Sequence, residues 1–259
     1  MHTIEEKLKS FEKLLYIMDE LREKCPWDRE QTFESIRNLT IEETYELADA
    51  IIKNNLQEVK KELGDLLLHI VFYSKIGSED GSFDIKDVTD SLCNKLIFRH
   101  PHVFGDVDVK GSSNKVKENW EELKQKEGNK SVLSGVPALL PALIKANRIQ
   151  EKVRAVGFDW EKREQVWEKV HEELGELMDE IKANNSELIE KEFGDLLFSV
   201  VNAARLYGID PETALEKTNL KFIKRFEYLE KETIKKGKSL KNMSLDQMNE
   251  IWENAKKFD

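Results

Sequence analysis

The sequence is poor in the residues that build disulfide frameworks, tight loops and membrane spans. Its 259 residues include two cysteines, five prolines and twelve glycines. The cysteines, Cys25 and Cys93, stand in unrelated sequence contexts, which argues against a disulfide framework and against a zinc site. No signal peptide, lipidation motif or long apolar segment is visible, so we expect a cytoplasmic protein without a membrane-spanning helix.

Positive charge is also scarce relative to negative charge. The chain has 41 lysines and arginines against 51 aspartates and glutamates, which gives a formal net charge of −10. This balance argues against general affinity for nucleic acid or for an anionic membrane surface. A polyanionic ligand would therefore have to bind through a metal ion or through a local basic cluster.

Strand-like alternation of apolar and polar residues is absent, whereas helical periodicity extends through the chain. The segment from Ile4 to Glu23, for example, repeats its apolar residues at intervals of three and four. The hydrophobic content of 39% is sufficient for ordinary cores. The pattern predicts an all-α protein.

The most informative feature of the sequence is an internal repeat. Residues 42–76 align with residues 172–206 without a gap, at a numbering shift of 130, and about 15 of 35 aligned positions are identical. In each copy a Glu-x-x-Glu pair is followed, one helix-length later, by Lys-Glu-x-x-Asp. We therefore predict two similar halves, with residues 1–127 as the first repeat and residues 128–259 as the second.

The spacing of the acids predicts a shared site in each half. Residues three apart lie on one helix face, so two antiparallel helices joined by a tight turn, at Asn184-Asn185-Ser186 in the second copy, would bring two acid pairs together. Such carboxylates raise one another's pKa unless a cation lies between them. An all-oxygen ligand set suits Mg²⁺, with Mn²⁺ as an alternative. The acids are Glu43, Glu46, Glu62 and Asp65 in the first half and Glu173, Glu176, Glu192 and Asp195 in the second.

A simpler interpretation treats the acids as a solvated helix face, with Thr40 and Glu43 as a capping box. Two features favour a metal site. The acid pairs recur at identical places although the surrounding solvent positions differ, and Gly64 and Gly194 recur beside the second pair of each half. Because glycine inside a helix costs about 1 kcal/mol relative to alanine, we expect a close backbone approach at both glycines.

Together with other motifs, the acid pairs resemble the all-α nucleoside triphosphate pyrophosphohydrolases, and among them the two-repeat MazG family. The acid pattern alone is moderately specific, but the further motifs follow the family's order over nearly the whole chain. These motifs are Cys25-Pro26-Trp27-Asp28, Arg99-His100-Pro101-His102-Val103-Phe104, Val132-Leu133-Ser134-Gly135-Val136-Pro137 and Val156-Gly157-Phe158-Asp159-Trp160.

The resemblance implies an enzyme that hydrolyses a nucleoside triphosphate to a monophosphate and pyrophosphate with Mg²⁺. The four acids of each half would then bind the metal ion. One of these acids, or Glu172 acting through a water, would orient and deprotonate the attacking water molecule. The catalytic candidates are Glu172, Glu173 and Glu176. No P-loop sequence occurs, which favours attack by water over transfer to a second substrate.

Binding of the nucleotide is assigned by the same resemblance. Lys221 and Arg225, four residues apart on one helix face, would bind phosphate oxygens, and Trp252 would lie near the nucleotide. The alternatives are an exposed basic face for the first two residues and core or dimer packing for Trp252. The full set is Lys169, Lys191, Asp195, Lys221, Arg225 and Trp252, with Lys95 and Arg99 as counterparts in the first half.

In relatives of this family the C-terminal repeat is the one credited with catalysis. Both halves here keep all four acids and the Lys/Arg pair, but Gly175 stands between the acids of the second half where the first half has Tyr45. A tyrosine at this position would either crowd a nucleotide or stack on its base. The resemblance also implies a homodimer, because the family builds its sites where helices of two subunits meet.

Two other functions remain open at this point. A di-iron carboxylate bundle would need Glu-x-x-His pairs, and neither Glu62 nor Glu192 has a histidine three residues later. A non-catalytic helical scaffold or a nucleotide-binding regulatory module would use the acids as a solvent face, since resemblance alone does not establish a retained activity.

Overall fold

The computed structural model describes residues 1–108, 111, 116, 119, 123, 131–235, 237 and 239–258. Within these residues every regular element is a helix, which confirms the all-α prediction. The chain divides into two compact units, residues 1–116 and 117–259. The predicted boundary between residues 127 and 128 lies outside the described residues, so it stays a prediction.

Unit 1 is a helical bundle in which α4 holds the central position. Its described helices are α1 (Ile4–Lys24), α2 (Pro26–Glu30), α3 (Phe33–Ile52), α4 (Leu56–Glu79), α5 (Ile85–Arg99) and α6 (Pro101–Phe104). α4 packs mainly against α3 and also contacts α1 and α5. The buried core joins α1, α3 and α4 through Met18, Ile36, Val71, Phe72 and Ile76.

Unit 2 repeats this plan around its own helical hairpin. Its described helices are α7 (Ala142–Arg154), α8 (Val166–Ala183), α9 (Ser186–Leu206), α10 (Pro211–Lys235) and α11 (Leu245–Ala255), with short 3₁₀ turns at Arg163–Gln165, Leu240–Asn242 and Lys256–Phe258. α9 packs mainly against α8 and also contacts α7, and α10 packs against α11. None of the described helices of either unit is long and apolar enough to cross a membrane.

The start of α3 differs from the predicted start near Thr40. The helix begins at Phe33, because the Thr32 hydroxyl accepts from the Ser35 backbone N–H and the Ser35 side chain accepts from the Thr32 N–H. Thr40 lies inside the helix, where its hydroxyl donates to the Ile36 carbonyl oxygen at 3.1 Å and lies 2.8 Å from the Tyr73 hydroxyl. The capping-box interpretation of Thr40 is therefore wrong, because an earlier and reciprocal cap satisfies the first turn.

The tight turns between the paired helices occur at equivalent positions in both units. Asn54 and Asn184 take the left-handed conformation, with φ of 53° and 54°. Asparagine tolerates this conformation better than other non-glycine residues. Because the linkers are so short, α3 and α4, and likewise α8 and α9, are antiparallel neighbours.

A buried ion pair anchors the chain just before α8. Asp159, in the Val156–Trp160 motif, accepts from both terminal nitrogens of Arg205 on α9, and the Arg205 side chain is only 7% exposed. Arg205 also donates to the Asn202 side chain. This contact fixes the segment that leads into α8 against the partner helix of the hairpin.

The turn conformation makes a direct stability prediction for unit 2. Replacing Asn184 with alanine should lower the free energy of unfolding by about 1 kcal/mol, because a Cβ-bearing residue without a compensating polar side chain resists the left-handed region. Asn184→Gly should be close to neutral. Guanidinium unfolding monitored by circular dichroism measures both values.

Asn185→Ala is the matched control for this prediction. Asn185 has φ of −97° and its side chain makes no capping hydrogen bond, so its replacement should cost clearly less than that of Asn184. Equal losses at the two positions would contradict the assignment of strain to the left-handed residue.

Candidate metal centre

In unit 2 the α8–α9 hairpin brings three acidic side chains to one point. Glu173 and Glu176 extend from α8 and Glu192 from α9, and one carboxylate oxygen of each lies within 4.8 Å of the other two. Glu173 and Glu192 are 6% and 7% exposed, so two of the three charges are held away from bulk water. We call these three residues the unit 2 cluster. Asp195, the fourth predicted ligand, is not in this group, and its Oδ2 lies 3.5 Å from Nζ of Lys191.

Unit 1 forms a corresponding group with a different third member. Glu43 of α3 and Glu62 and Asp65 of α4 have carboxylate oxygens within 4.8 Å of one another, and we call them the unit 1 cluster. Glu62 is 3% exposed. Glu46, the remaining predicted ligand, is not in the group, and its Oε2 lies 4.0 Å from Nζ of Lys61. Each half therefore assembles three of its four predicted acids, with the Asp outside in unit 2 and the second Glu outside in unit 1.

Lysines contact both clusters. Nζ of Lys191 donates to Oε1 of Glu192 at 3.1 Å, and Nζ of Lys61 donates to Oε1 of Glu62 at 2.9 Å, so this contact is common to the two units. Unit 2 has a second lysine contact, because Nζ of Lys169 lies 2.7 Å from Oε1 of Glu173. The same nitrogen donates to Oε1 of Glu172 at 2.9 Å. The exposed Glu172 thus lies beside the cluster but outside it.

One carboxylate in each cluster has a raised pKa, first through loss of surrounding water and then through neighbouring negative charge. Loss of surrounding water, reinforced by Asp65, Glu46 and Glu62, raises the pKa of Glu43. In unit 2, loss of surrounding water, reinforced by Glu173 and Glu192, raises the pKa of Glu176, and Lys169 partly opposes the shift. Hydrogen bonds to Glu173 and then to Glu172 raise the pKa of Lys169, which keeps it charged at neutral pH.

Both clusters fit a divalent, oxygen-preferring cation. Oε2 of Glu62 and Oε2 of Glu192 are buried and accept no hydrogen bond within the described part of the protein, so each offers an unused lone pair. All members of the two groups are carboxylates, which matches Mg²⁺ or Mn²⁺ and lacks the histidine that a di-iron carboxylate bundle uses. A bound cation would offset the repulsion from neighbouring acids that contributes, after desolvation, to the raised pKa of Glu43 and of Glu176.

The expectation about the helix glycines is wrong for this structure. A Cβ placed at Gly64, Gly175 or Gly194 would meet no heavy atom within 4 Å. These positions face open space within their own unit, so no close backbone approach explains them. Tyr45, the counterpart of Gly175, is half exposed and lines an open cavity of about 590 Å³ together with Glu46 and Glu62.

Three of the predicted nucleotide-binding residues lie on helices other than those of the acid cluster. α10 carries Lys221 and Arg225, and α11 carries Trp252. The guanidinium of Arg225 lies over the Trp252 ring, 5.6 Å from its centroid, and the Phe222 ring packs against the same tryptophan with centroids 4.9 Å apart. The structure thus brings two of the predicted binding residues together. Lys95 and Arg99 lie in the last turns of α5.

The raised pKa of Glu176 predicts a pH-dependent stability difference in the metal-free protein. The folded state binds this proton more readily than the unfolded chain, so the ionised carboxylate destabilises the fold above its raised pKa, and this effect is lost as pH falls towards the ordinary value. Glu176→Gln should therefore raise the melting temperature at neutral pH and give a smaller gain at acidic pH. Thermal melts in a chelating buffer across this range measure the difference.

Glu230→Gln provides the control, because Glu230 is an exposed residue on α10, outside both clusters. Its melting curve should follow the wild type at every pH. Adding Mg²⁺ should stabilise the wild type more than Glu176→Gln, since a ligand that binds only the folded state adds stability. A Glu176→Gln variant that is less stable than the wild type at neutral pH without metal would contradict the prediction.

Comparison with known proteins identifies the family of the chain. A family model described as the MazG nucleotide pyrophosphohydrolase domain matches it twice, at residues 31–104 and 161–229. Each match contains one of the two acid clusters.

Several relatives match nearly the whole chain. One from Thermotoga maritima, named nucleoside triphosphate pyrophosphohydrolase/pyrophosphatase MazG, is 46% identical over 254 residues, covering 96% of each protein. A nucleoside triphosphate pyrophosphohydrolase of Escherichia coli K12 is 40% identical over 259 residues, covering 96% of this chain and 98% of the relative. The uncharacterized protein YabN of Bacillus subtilis is 44% identical over 262 residues, which cover 53% of its length. With two matches to the family model and relatives aligned over almost its full length, the chain belongs to the MazG nucleotide pyrophosphohydrolase family.

Proposed function

We propose that this protein hydrolyses nucleoside triphosphates to nucleoside monophosphate and pyrophosphate, with a divalent cation, Mg²⁺ or Mn²⁺, held by the unit 2 cluster. The observation that carries the proposal is the convergence of Glu173, Glu176 and Glu192, with a buried and unpartnered oxygen on Glu192. Family membership and the names of the relatives aligned end to end support the same reaction.

The roles of the acidic residues follow from their positions. Glu173, Glu176 and Glu192 would hold the cation, and Asp195, on the same helix as Glu192, would complete the set. Glu172, exposed at the edge of the cluster, or one of the cluster acids would orient a water molecule and accept its proton. The bond between the α- and β-phosphates breaks, and pyrophosphate leaves.

Binding of the triphosphate would fall to the basic residues. Arg225 would bind phosphate oxygens in a bidentate manner and Lys221 as a point charge. Lys169 and Lys191, which neutralise the acids here, carry ammonium groups able to bind phosphate. Trp252, held beside Arg225, would pack against the nucleotide. A bound Mg²⁺ supplies neutralisation of the charge on the phosphate oxygens and a lowered pKa for the attacking water.

We assign the principal activity to unit 2. Gly175 leaves open space beside the second-half acids, where unit 1 places the bulky ring of Tyr45. Arg225 and Trp252 form a described pair in unit 2. The family's use of its C-terminal repeat agrees with this assignment.

The functional assignment predicts unequal effects of equivalent substitutions. Glu176→Gln should lower kcat/KM for pyrophosphate release from mixed nucleoside triphosphates by about 100-fold or more, because a metal ligand stabilises charge in the transition state. Glu46→Gln, at the equivalent position of unit 1, should lower it by less than about threefold. Enzymatic detection of pyrophosphate, with orthophosphate measured in parallel, gives both values.

A chelator provides the metal control for this assay. Turnover should stop when EDTA is in excess and should return with added Mg²⁺ or Mn²⁺. Equal losses in the two variants would refute the asymmetric assignment. If the wild type released no pyrophosphate from any nucleoside triphosphate, the proposed enzymatic activity would be refuted, and a scaffold or a regulatory binding module would be the remaining interpretation.

We also propose that the protein is a homodimer. The outer face of α9 exposes Phe193, Leu197 and Val200, between 45% and 58% exposed, and α4 exposes Leu63, Leu67 and Ile70 at the same repeat positions. Apolar residues in such regular rows on a protein surface are typical of an interaction face. The open space at Gly64 and Gly194 on these helices is available to a second copy.

The dimer makes its own prediction. Leu197→Glu should convert a dimer into monomers in sedimentation velocity, because it places a charge in an apolar interface. Leu8→Glu, a change at a residue 64% exposed on α1, should leave the sedimentation coefficient unchanged. A wild type that sediments as a monomer of 30.2 kDa would refute the dimer.

A further inference from the structure

The two acid clusters lie on equivalent helix pairs, and they differ in their third member and in one nearby lysine. The numbering shift of 130 that aligns the acids also aligns Ile36 with Val166, and both side chains are 1% exposed. This agreement supports the residue-by-residue alignment of α3 with α8. At this shift Lys169 corresponds to Leu39. One cluster therefore has a lysine one helical turn before its first acid, and the other has a leucine.

These two residues have different environments. Nζ of Lys169 lies 2.7 Å from Glu173 and 2.9 Å from Glu172. Leu39 packs against the apolar core of unit 1. Since Lys61 and Lys191 make the same contact with Glu62 and Glu192 in their respective units, that pair does not distinguish the clusters.

The resulting charge differs between the units. Three ionised carboxylates with one contacting lysine leave the unit 1 cluster with a formal charge of −2. In unit 2 the same number of carboxylates with two contacting lysines, Lys169 and Lys191, leaves −1. The ammonium of Lys169 also contacts Oε1 of Glu173, a member of the cluster. A divalent ion that binds Glu173 therefore competes with the ammonium for this carboxylate.

We propose that Lys169 is a positioning residue that acts as a tethered counter-ion of the unit 2 cluster. The unit 1 cluster then binds a divalent cation tightly without nucleotide. The unit 2 cluster binds the cation weakly until a polyphosphate draws the Lys169 ammonium away from Glu173. This inference rests on the proposed function only for the identity of that polyphosphate, and the difference in metal affinity stands apart from it.

The physical reason is competition between two cations for one carboxylate. When the anionic phosphate chain is present, the ammonium gains phosphate oxygens as acceptors, and Glu173 becomes available to the metal. The cation and the triphosphate therefore bind to unit 2 cooperatively. The triphosphate draws Lys169 away from Glu173, which frees this carboxylate for the cation, and the cation displaces Lys169 from Glu173, which frees the ammonium for the triphosphate. Unit 1 lacks the lysine and should show no such coupling.

Titration of the full-length protein with MnCl₂ alone tests the proposal. Calorimetry, with free Mn²⁺ followed by electron paramagnetic resonance, should resolve two site classes whose dissociation constants differ about tenfold, as expected for one nearby charge. Glu43→Gln should remove the tight class and Glu176→Gln the weak class. Lys169→Met should bring the weak class close to the tight one.

Two further lysine variants test whether the effect on Mn²⁺ binding comes from the charge of Lys169. Lys169→Arg retains the charge and should retain the weak class. Lys182→Met removes an exposed lysine of the same helix that pairs with Asp179, and it should leave both classes unchanged. Circular dichroism of every variant establishes that the fold is retained.

The coupling is measured with a triphosphate analogue that has a methylene group between its α- and β-phosphorus atoms. It should tighten Mn²⁺ binding by the weak class in the wild type and clearly less in Lys169→Met. Two identical classes in the wild type, no Mn²⁺ bound by either cluster, or an unchanged weak class in Lys169→Met would each overturn the proposal. If the protein released no pyrophosphate but bound Mn²⁺ in the two predicted site classes, the proposed function would be refuted and the counter-ion role of Lys169 would still hold.

Discussion

Repulsion between carboxylates held close together is the constraint around which both units are built. In each unit two antiparallel helices hold three acidic side chains with oxygens within 4.8 Å of one another, and at least one of the acids is almost fully buried. Such an arrangement opposes folding in the absence of a cation. The hairpins persist because apolar packing on their other faces, at Ile36 in unit 1 and at Val166 and Leu177 in unit 2, holds the helices in place. Stability supplied by the core therefore maintains clusters of acids whose charge is only partly offset by the contacting lysines.

The short turns at Asn54 and Asn184 hold the paired helices of each unit in a similar antiparallel arrangement. A linker with a left-handed asparagine leaves the paired helices little freedom to slide, so acids of the two helices converge in both units, although the third member of the cluster differs. The groups that surround the acids are less constrained. Lysines one turn away on the same helix, or next to the acid in sequence, reach the carboxylates through long flexible stems. A single exchange of lysine for leucine therefore changes the local charge.

The acid cluster of unit 2 and its Arg225–Trp252 pair lie on different helices. The acids belong to the α8–α9 hairpin, whereas Arg225 and Trp252 belong to α10 and α11, which pack on each other. Leu229 on α10 and Ile251 and Ala255 on α11 are buried, and this packing gives the Arg225–Trp252 pair a rigid base.

The helical class, the duplication, the family and the acidic residues of the clusters could be predicted from the sequence, because helical periodicity and repeat spacing are local properties of the chain. Local spacing also predicted that Glu173 and Glu176 share a face. It did not predict that Asp195 and Glu46 lie outside their clusters, that Lys169 contacts Glu173, or that Gly64 and Gly194 face open space. These outcomes depend on side-chain rotamers and on the neighbouring helix, which the spacing along one helix does not specify. The start of α3 at Phe33 rather than near Thr40 has a similar cause, since two capping sequences compete and the reciprocal cap of Thr32 and Ser35 satisfies the first turn.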